Sequence, residues 1–311
     1  MSAAALASPA TMALSFPAKA VLSVDVEDWF HILELPGAPD LAAWSRLPSR
    51  VENNFHRLLE LFRHRGARVT CFFLGWIAER FPHLVREAAE LGHEIASHGY
   101  AHTLAHTMTP QAFNEDVRRT KLLLEDLSGV PVSGFRAPGF SVTAAIPWFF
   151  PELEAAGYRY DSSVFPAARQ HGGWIGADFA PHRAPGTEAL VEFPVSTLGI
   201  FGRRFCAFGG GYLRLLPDSL VVYLSRRVLA ERRPVVFYVH PREIDPQQPR
   251  LPMSWPRRFK SYINLDTTER KLRRLLDEFE VTSFQRLLES GLPDAACHSP
   301  MASTNQREGI L

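Results

Sequence analysis

The chain has 311 residues, of which 46% are hydrophobic and 22% charged, so it carries enough apolar side chains for a sizeable globular core. Its 34 basic and 33 acidic residues nearly cancel, which argues against nucleic acid as a partner. No apolar run approaches the roughly 18 residues needed to span a bilayer. The three cysteines lack metal-ligand spacing, and Cys71 lies in an apolar run, so a buried thiol in a reducing compartment is expected.

The ends of the chain differ in composition from its body. Residues 1–18 are rich in Ala and Ser without a basic start, so we expect a ragged N-terminal tail rather than a secretory signal. Residues 19–290 are expected to form one catalytic domain, since barrel-type α/β folds often use this length, and residues 294–311 a disordered tail. These features predict a cytoplasmic protein, with export or membrane association as the alternative.

Short apolar runs alternate with helical patterns along the chain. Strands are predicted at 19–26, 68–74, 93–97, 132–136, 158–161, 190–195 and 234–239. Helices are predicted at 51–65, 82–92, 110–129, 144–156, 217–230 and 267–279. This alternation indicates a parallel sheet with helices packed outside, a fold class in which ligands collect at the carboxyl ends of the strands. Polar residues lie at the carboxyl end of five of these strands or directly after it: Asp25, His98, Arg136, Asp161 and His240.

His98 and His102 form an HxxxH pair that could hold a metal ion. With 12 histidines in the chain, chance alone gives about half a pair at this spacing, so for the pair alone surface or capped histidines are the simpler interpretation. Asp25, Glu27 and Asp28 follow a buried strand, where carboxylates are costly unless a cation compensates them. A divalent metal would do so, although a solvated loop with a helix cap is the alternative.

Two further strand-end residues suit catalysis. Arg136 could hold Asp25 ionised and oriented, or form a simple surface salt bridge. His240 follows the most hydrophobic strand of the second half and could be a general acid or a satisfied core histidine.

In this order, the motifs V-D-V-E-D at 24–28, S-H-G-Y-A-H at 97–102, R-A-P at 136–138, D-S-S at 161–163 and the late strand ending at His240 resemble the polysaccharide deacetylases. This is the NodB homology group, carbohydrate esterase family 4. Further motifs, G-G-G-Y-L-R-L-L-P at 209–217 and the stretch from His240 to Arg250, resemble the exosortase-associated (PEP-CTERM) deacetylases of bacterial exopolysaccharide clusters. The resemblance implies a distorted (β/α)7-type barrel.

Carried over by position, the resemblance makes Asp25 the general base, His240 the general acid, and Arg136 the residue that orients the base. It makes His98 and His102 metal ligands. Substrate contacts are expected from motif residues Tyr100, Pro138 and Asp161.

The third metal ligand departs from the family pattern. The usual opening is an Asp-Asp pair, but Val26 stands beside Asp25 here. On an extended strand residues 25 and 27 face the same side, so Glu27 is expected to be the ligand, with Asp28 the alternative if the chain turns sharply. Two imidazoles and a carboxylate suit Zn²⁺ without excluding other divalent metals.

The resemblance implies a metal-dependent hydrolase that removes N-acetyl groups from the sugars of a bacterial exopolysaccharide or a related glycan. Its partners would be an N-acetylated oligo- or polysaccharide and a machinery of exopolysaccharide synthesis. Three alternatives stay open: another amide hydrolase on this fold, a degenerate polysaccharide-binding protein, and a glycosidase that uses Asp25 and Asp161.

Overall fold

A computed structural model describes residues 14–33, 35, 38–169, 172–200 and 203–291. The predicted C-terminal tail, most of the predicted N-terminal tail and Cys297 lie outside these residues. The strands are β1 (Ala20–Val26), β2 (Thr70–Phe73), β3 (Glu94–Ser97), β4 (Gly134–Phe135), β5 (Tyr160–Asp161), β6 (His182–Arg183), β7 (Val191–Glu192), β8 (Leu198–Ile200), β9 (Arg203–Phe205), β10 (Val235–Val239) and β11 (Val281–Thr282). The helices are α1 (Leu41–Trp44), α2 (Val51–His64), α3 (Gly75–Arg80), α4 (Pro82–Glu90), α5 (Pro110–Ser128), α6 (Phe149–Ala155), α7 (Gly210–Leu215), α8 (Asp218–Ala230), α9 (Trp255–Tyr262), α10 (Thr268–Glu278) and α11 (Phe284–Gly291).

A nine-stranded sheet organises the molecule, in the order β10-β1-β2-β3-β4-β5-β7-β6, with β11 also pairing with β1. Its pairs are parallel except β6 with β7. The sheet curls into part of a barrel. All seven residues of β1 are buried, which explains its nearly continuous apolar sequence.

The neighbours of β1 determine which residues can meet at its carboxyl end. Val24 pairs with Val239 of β10, and Asp25 pairs with Phe72 of β2. The strand ends of β1, β2, β3, β4 and β10 therefore lie along one edge, although they come from distant parts of the sequence.

The predicted α/β barrel-type fold is confirmed. One predicted helix begins later than expected, at Phe149 rather than near residue 144, because Pro147 disfavours helical backbone in the residue before it. The short helices α1, α3, α7, α9 and α11 were not predicted, nor were the β8–β9 hairpin and the two-residue β11. These elements have two to eight residues, which is too few for a periodic pattern to stand out.

Two further expectations concern burial. Cys71 is a buried free thiol, as expected, and burial raises its pKa. Phe16, within the predicted N-terminal tail, is buried against Phe193 with ring centroids 4.9 Å apart.

Across the described ranges, no helix combines the length and apolarity required to cross a membrane.

Candidate active site

Asp25 and Glu27 place two carboxylates at the carboxyl end of β1. Alternate residues of a strand face the same side, and here both side chains are buried, with residue exposures of 1% and 4%. A buried carboxylate needs a compensating charge or hydrogen bonds, and the two residues obtain them from different partners.

Arg136 compensates Asp25. The arginine has no exposed surface, and its Nη1 donates to Asp25 Oδ1 at 2.6 Å and to Ser23 Oγ at 2.8 Å. Its Nε and Nη2 donate to the carbonyl and hydroxyl of Ser162, while Phe72 packs against the guanidinium 4.2 Å away. The contacts with Ser162 and Phe72 hold the guanidinium in place, so that its Nη1 restrains the Asp25 carboxylate through Oδ1.

His98 and His102 lie beside Glu27. Nδ1 of His98 donates to the backbone carbonyl of Arg136 at 2.7 Å, because a carbonyl can only accept, and this leaves the lone pair on Nε2. Nε2 lies 3.3 Å from Glu27 Oε1. Such fixing of the tautomer through the second nitrogen is common for metal-ligating histidines.

His102 supplies a second imidazole from a strained backbone. Its φ of 54° lies in the left-handed region, which non-glycine residues seldom adopt away from functional sites. Its Nε2 is buried 3.0 Å from Glu27 Oε1, yet within the described structure it forms no hydrogen bond of acceptable geometry.

The residues present fit a divalent cation. One donor atom from each of Glu27, His98 and His102 lies within 4.8 Å of the others, and all three residues are buried. Burial acts to raise the pKa of Glu27, but His102, His240 and His98 outweigh it and lower that pKa well below its usual range. An ionised carboxylate beside two imidazole Nε2 atoms, of which that of His102 has no hydrogen-bond partner among the described residues, is a ligand set for such an ion.

Asp28 does not join this group. Its carboxylate accepts hydrogen bonds from the backbone amides of Trp29, Arg50 and Val51 and from the Ser49 hydroxyl, at the start of α2. Of the two acids that the sequence offers as third ligand, the structure places Glu27 with the histidines and Asp28 at the helix N-terminus.

His240 reaches the same site from β10. Its Nε2 lies 3.7 Å from Asp25 Oδ2 and 3.6 Å from Glu27 Oε1. Its Nδ1 lies 2.5 Å from Glu243 Oε1, and Arg214 Nη1 lies 2.7 Å from Glu243 Oε2. Burial acts to lower the pKa of His240, but the carboxylates of Glu27, Glu243 and Asp25 raise it above its ordinary value. The arrangement favours a protonated imidazole.

Three predicted substrate-binding residues do not line the cleft that opens on this site. Tyr100 donates through its hydroxyl to Glu79, and Pro138 is buried in the turn after β4. Asp161 is fully buried, and Ser163 donates to it through both its hydroxyl and its amide. The prediction that these three residues bind substrate in this cleft is therefore wrong, and the glycosidase alternative loses its second carboxylate.

Sequence reasoning assigned no role to Glu243 and Arg214, which support His240 from behind. Glu243 follows His240 by three residues in a short 3-10 turn that begins at Pro241. That spacing was a usable signal, whereas Arg214 is joined to the site only by tertiary packing.

Two family models match consecutive parts of the chain. Residues 44–160 match "Polysaccharide deacetylase", and residues 162–289 match a "Domain of unknown function (DUF3473)". His98, His102 and Arg136 fall within the first match, and His240 falls within the second. The site therefore draws on both segments.

The chain is similar to curated deacetylases over about a third of its length. A Bacillus cereus peptidoglycan-N-acetylglucosamine deacetylase is 30% identical over 103 residues, which are 33% of this chain and 46% of the relative. A Helicobacter pylori peptidoglycan deacetylase is 29% identical over 108 residues, 35% of this chain and 36% of the relative. The chain thus spans less than half the length of these relatives.

The fold also resembles that of a solved structure. A Mycobacterium smegmatis protein described as a candidate polysaccharide deacetylase superposes with a TM-score of 0.60, at 20% identity, over 91% of this chain and 94% of its own. Residues 44–160 are therefore similar to polysaccharide deacetylases, and the chain shares the fold of the Mycobacterium smegmatis protein over nearly its whole length.

Proposed function

We propose that the chain is a divalent-metal-dependent hydrolase that removes N-acetyl groups from the N-acetylated sugars of a bacterial exopolysaccharide or a related glycan. One observation carries the proposal: three kinds of group meet at one edge of the sheet. Glu27, His98 and His102 form a possible metal site, Arg136 binds Asp25, and Glu243 contacts His240. A pure binding protein has no need for these three parts together.

Glu27, His98 and His102 would hold the metal, and Zn²⁺ suits this set of two imidazoles and one carboxylate. When bound, the metal would supply Lewis acidity that makes water more acidic and an amide carbonyl more electrophilic.

Asp25 would act as the general base. Arg136 binds its Oδ1, and Oδ2 lies 3.7 Å from His240 Nε2. Asp25 would accept a proton from the water that attacks the acetamide carbonyl, and Arg136 would keep the carboxylate oriented during that transfer.

His240 would act as the general acid. Glu243 accepts a hydrogen bond from the Nδ1–H group and so favours a second proton on Nε2, which faces Asp25 and Glu27. Transfer of the Nε2 proton to the sugar nitrogen lets the carbon–nitrogen bond break, and water and acetamide are converted to acetate and a free amine.

The direct test is acetate release from N-acetylglucosamine oligomers by the metal-loaded protein, repeated with chelator and after return of the metal. We expect release that chelator stops and metal restores. Asp25→Asn should lower turnover by at least about 100-fold while metal stays bound. Asp126→Asn, an exposed aspartate on α5, is the control for the same chemical change.

Absence of acetate from every N-acetylated glycan tried, with folded and metal-loaded protein, would overturn the proposal. Loss of metal in Asp25→Asn would instead make Asp25 a ligand. Metal content is measured by elemental analysis, with His98→Gln as the expected loss and His64→Gln, an exposed histidine, as its control.

A further inference from the structure

A cleft of about 420 Å³ opens above the site, and its walls are strongly basic. It is lined by three carboxylates, those of Asp25, Glu27 and Glu243. It is also lined by six arginine or lysine side chains: Arg169, Arg204, Arg214, Arg242, Arg257 and Lys260. The protein as a whole has a formal charge of only +1, so the excess in the cleft is local.

The carboxylates of the cleft offset at most one of these six cations, because Glu243 pairs with Arg214 whereas the partners of Asp25 and Glu27 are not among the six. Asp25 is bound by Arg136, which does not line the cleft. Glu243 contacts both Arg214 and His240, and Glu27 lies with His98 and His102 in the possible metal site. In the described part of the chain, no carboxylate lies within ion-pair distance of Arg242, Arg169 or Lys260.

Arg242 follows His240 by two residues and lines the same cleft, so it brings positive charge close to the reaction centre. Its Nε and Nη1 are buried and, among the described residues, have no hydrogen-bond partner. An unsatisfied buried guanidinium is costly, so in a native protein it calls for a ligand or ordered water that accepts from it.

His31 adds a second unsatisfied donor to the same wall. Its Nδ1 accepts from the backbone amide of Asp28 at 3.0 Å, and an amide can only donate, so in the neutral ring the proton is on Nε2. That Nε2 is buried and, within the ranges described, unpartnered.

Arg169 and Lys260 continue the basic wall outward. Arg169 packs its guanidinium over Phe140 and Phe165, 4.8 and 5.1 Å from the ring centroids. Lys260 Nζ lies 4.9 Å from the ring centroid of Tyr212. Burial and the positive charge of Arg169 lower the pKa of Lys260, which is the behaviour of cations crowded without a counter-ion.

We propose that the cleft selects an acidic glycan, in which a carboxylate on the sugar chain is bound by Arg242, Arg169 and Lys260 while the N-acetyl group lies at Glu27, His98 and His102. This inference rests on the proposed deacetylase function and names its substrate class. Guanidinium groups bind carboxylates through charge-assisted hydrogen bonds, which are stronger when water is partly excluded.

The test compares two oligosaccharides that differ only in charge. One alternates glucuronic acid with N-acetylglucosamine, and the other is the same chain after chemical reduction of its carboxylates to alcohols. Binding by calorimetry and acetate release are measured with the metal-loaded full chain. We expect the acidic chain to bind at least about tenfold more tightly, with a preference that shrinks as salt is raised.

Variants locate the preference. Arg169→Gln with Lys260→Gln should weaken binding of the acidic chain about tenfold and leave the reduced chain unchanged. Arg242→Met should have the same selective effect on binding. Arg258→Gln, an exposed arginine on the same helix as Lys260 that does not line the cleft, is the matched control.

A second arm identifies the source of the carboxylate. A glycan chain that contains N-acetylmuramic acid carries its carboxylate on a lactyl ether and not on the sugar ring. Its affinity relative to the glucuronate chain shows which placement of the carboxylate the cleft accepts. Equal affinity for acidic and reduced chains would overturn the inference, as would a preference that the cleft variants leave intact.

The two proposals fail in different ways. Acetate release without any charge preference would refute the acidic substrate and leave the deacetylase proposal standing. Charge-dependent binding without acetate release from any chain would support the basic cleft and refute the deacetylase proposal.

Discussion

At the scale of single residues, Glu27 and Asp28 show how adjacent acids take different tasks. Glu27 lies on the side of β1 that faces His98 and His102, whereas Asp28 has turned away to accept amides at the start of α2. The spacing of residues 25 and 27 on a strand was enough to predict this choice. The hydrogen bonds that occupy Asp28 could not be predicted, because Ser49, Arg50 and Val51 are distant in sequence.

The two acids should therefore respond differently to loss of charge. Loss of a residue that hydrogen-bonds to a metal ligand typically lowers metal affinity about 10- to 100-fold. Glu27→Gln should lower it further, because it removes a direct ligand. Asp28→Asn should keep the metal and lower the stability of the fold by about 1 kcal/mol, as loss of a helix cap does. Elemental analysis and thermal unfolding measure the two effects, and the reverse pattern would make Asp28 the ligand.

Glu243 should set the pH range of activity through His240. His240 acts as an acid only while protonated, so activity falls as pH rises through its pKa. Because the Glu243 carboxylate is one of the groups that raise this pKa, Glu243→Gln should lower it and move the alkaline limb of the pH–rate profile to lower pH. Glu231→Gln, at an exposed position before the amino end of β10, serves as the control. An alkaline limb that stays in place in Glu243→Gln would contradict the role of His240 as the acid.

At the scale of elements, periodic segments were predictable and close approaches were not. Helix α5 has a Thr109 cap, Pro110 at its first turn and Gly129 at a φ of 70°, and all three are visible as sequence signals. Asp161 shows the opposite case. Its position after an apolar run suggested a site residue, but the sequence does not reveal that its side chain turns toward Ser163 and Glu192.

Gly134 in β4 illustrates a packing constraint that only the structure reveals. A Cβ at this position would lie 2.0 Å from the Tyr160 ring, whose hydroxyl donates to the buried Glu94. Gly134→Ala should therefore displace Tyr160 and destabilise the fold by about 1–3 kcal/mol.

The control for this substitution is Gly199→Ala in β8, where an added Cβ meets nothing within 4 Å. Denaturant unfolding of both variants gives the comparison. Equal stability of the two variants would show that β4 and β5 can separate without cost.

At the scale of the whole molecule, one buried pair of acids connects stability to pH. Burial raises the pKa of Asp161 to about 6, and burial with the charge of Asp161 raises the pKa of Glu192 well above its usual range. The folded protein thus holds protons that the unfolded chain releases at lower pH. The contribution of the pair to stability is present below about pH 4, and the part from Asp161 is lost as pH rises to about 6.

Glu192→Gln removes one of these acids and keeps an oxygen that can accept from the Val164 amide. The variant should lose less stability than the unaltered protein as pH rises from 4 to 8, by about 1–2 kcal/mol. Thermal unfolding across this range measures the difference. Parallel pH profiles would mean that the pair is already ionised in the folded state.

The pairing of β1 with β10 also governs when the active site can exist during synthesis. Residues 20–24 align with residues 235–239, so β1 has no partner on that side until the ribosome has made some 215 further residues. At about 5–20 residues per second, the gap is roughly 10–40 seconds. Under the proposed function, the ligand Glu27, just after β1, is translated early and the proton donor His240, just after β10, is translated late, so the metal ligands Glu27, His98 and His102 are all synthesised well before the proton donor.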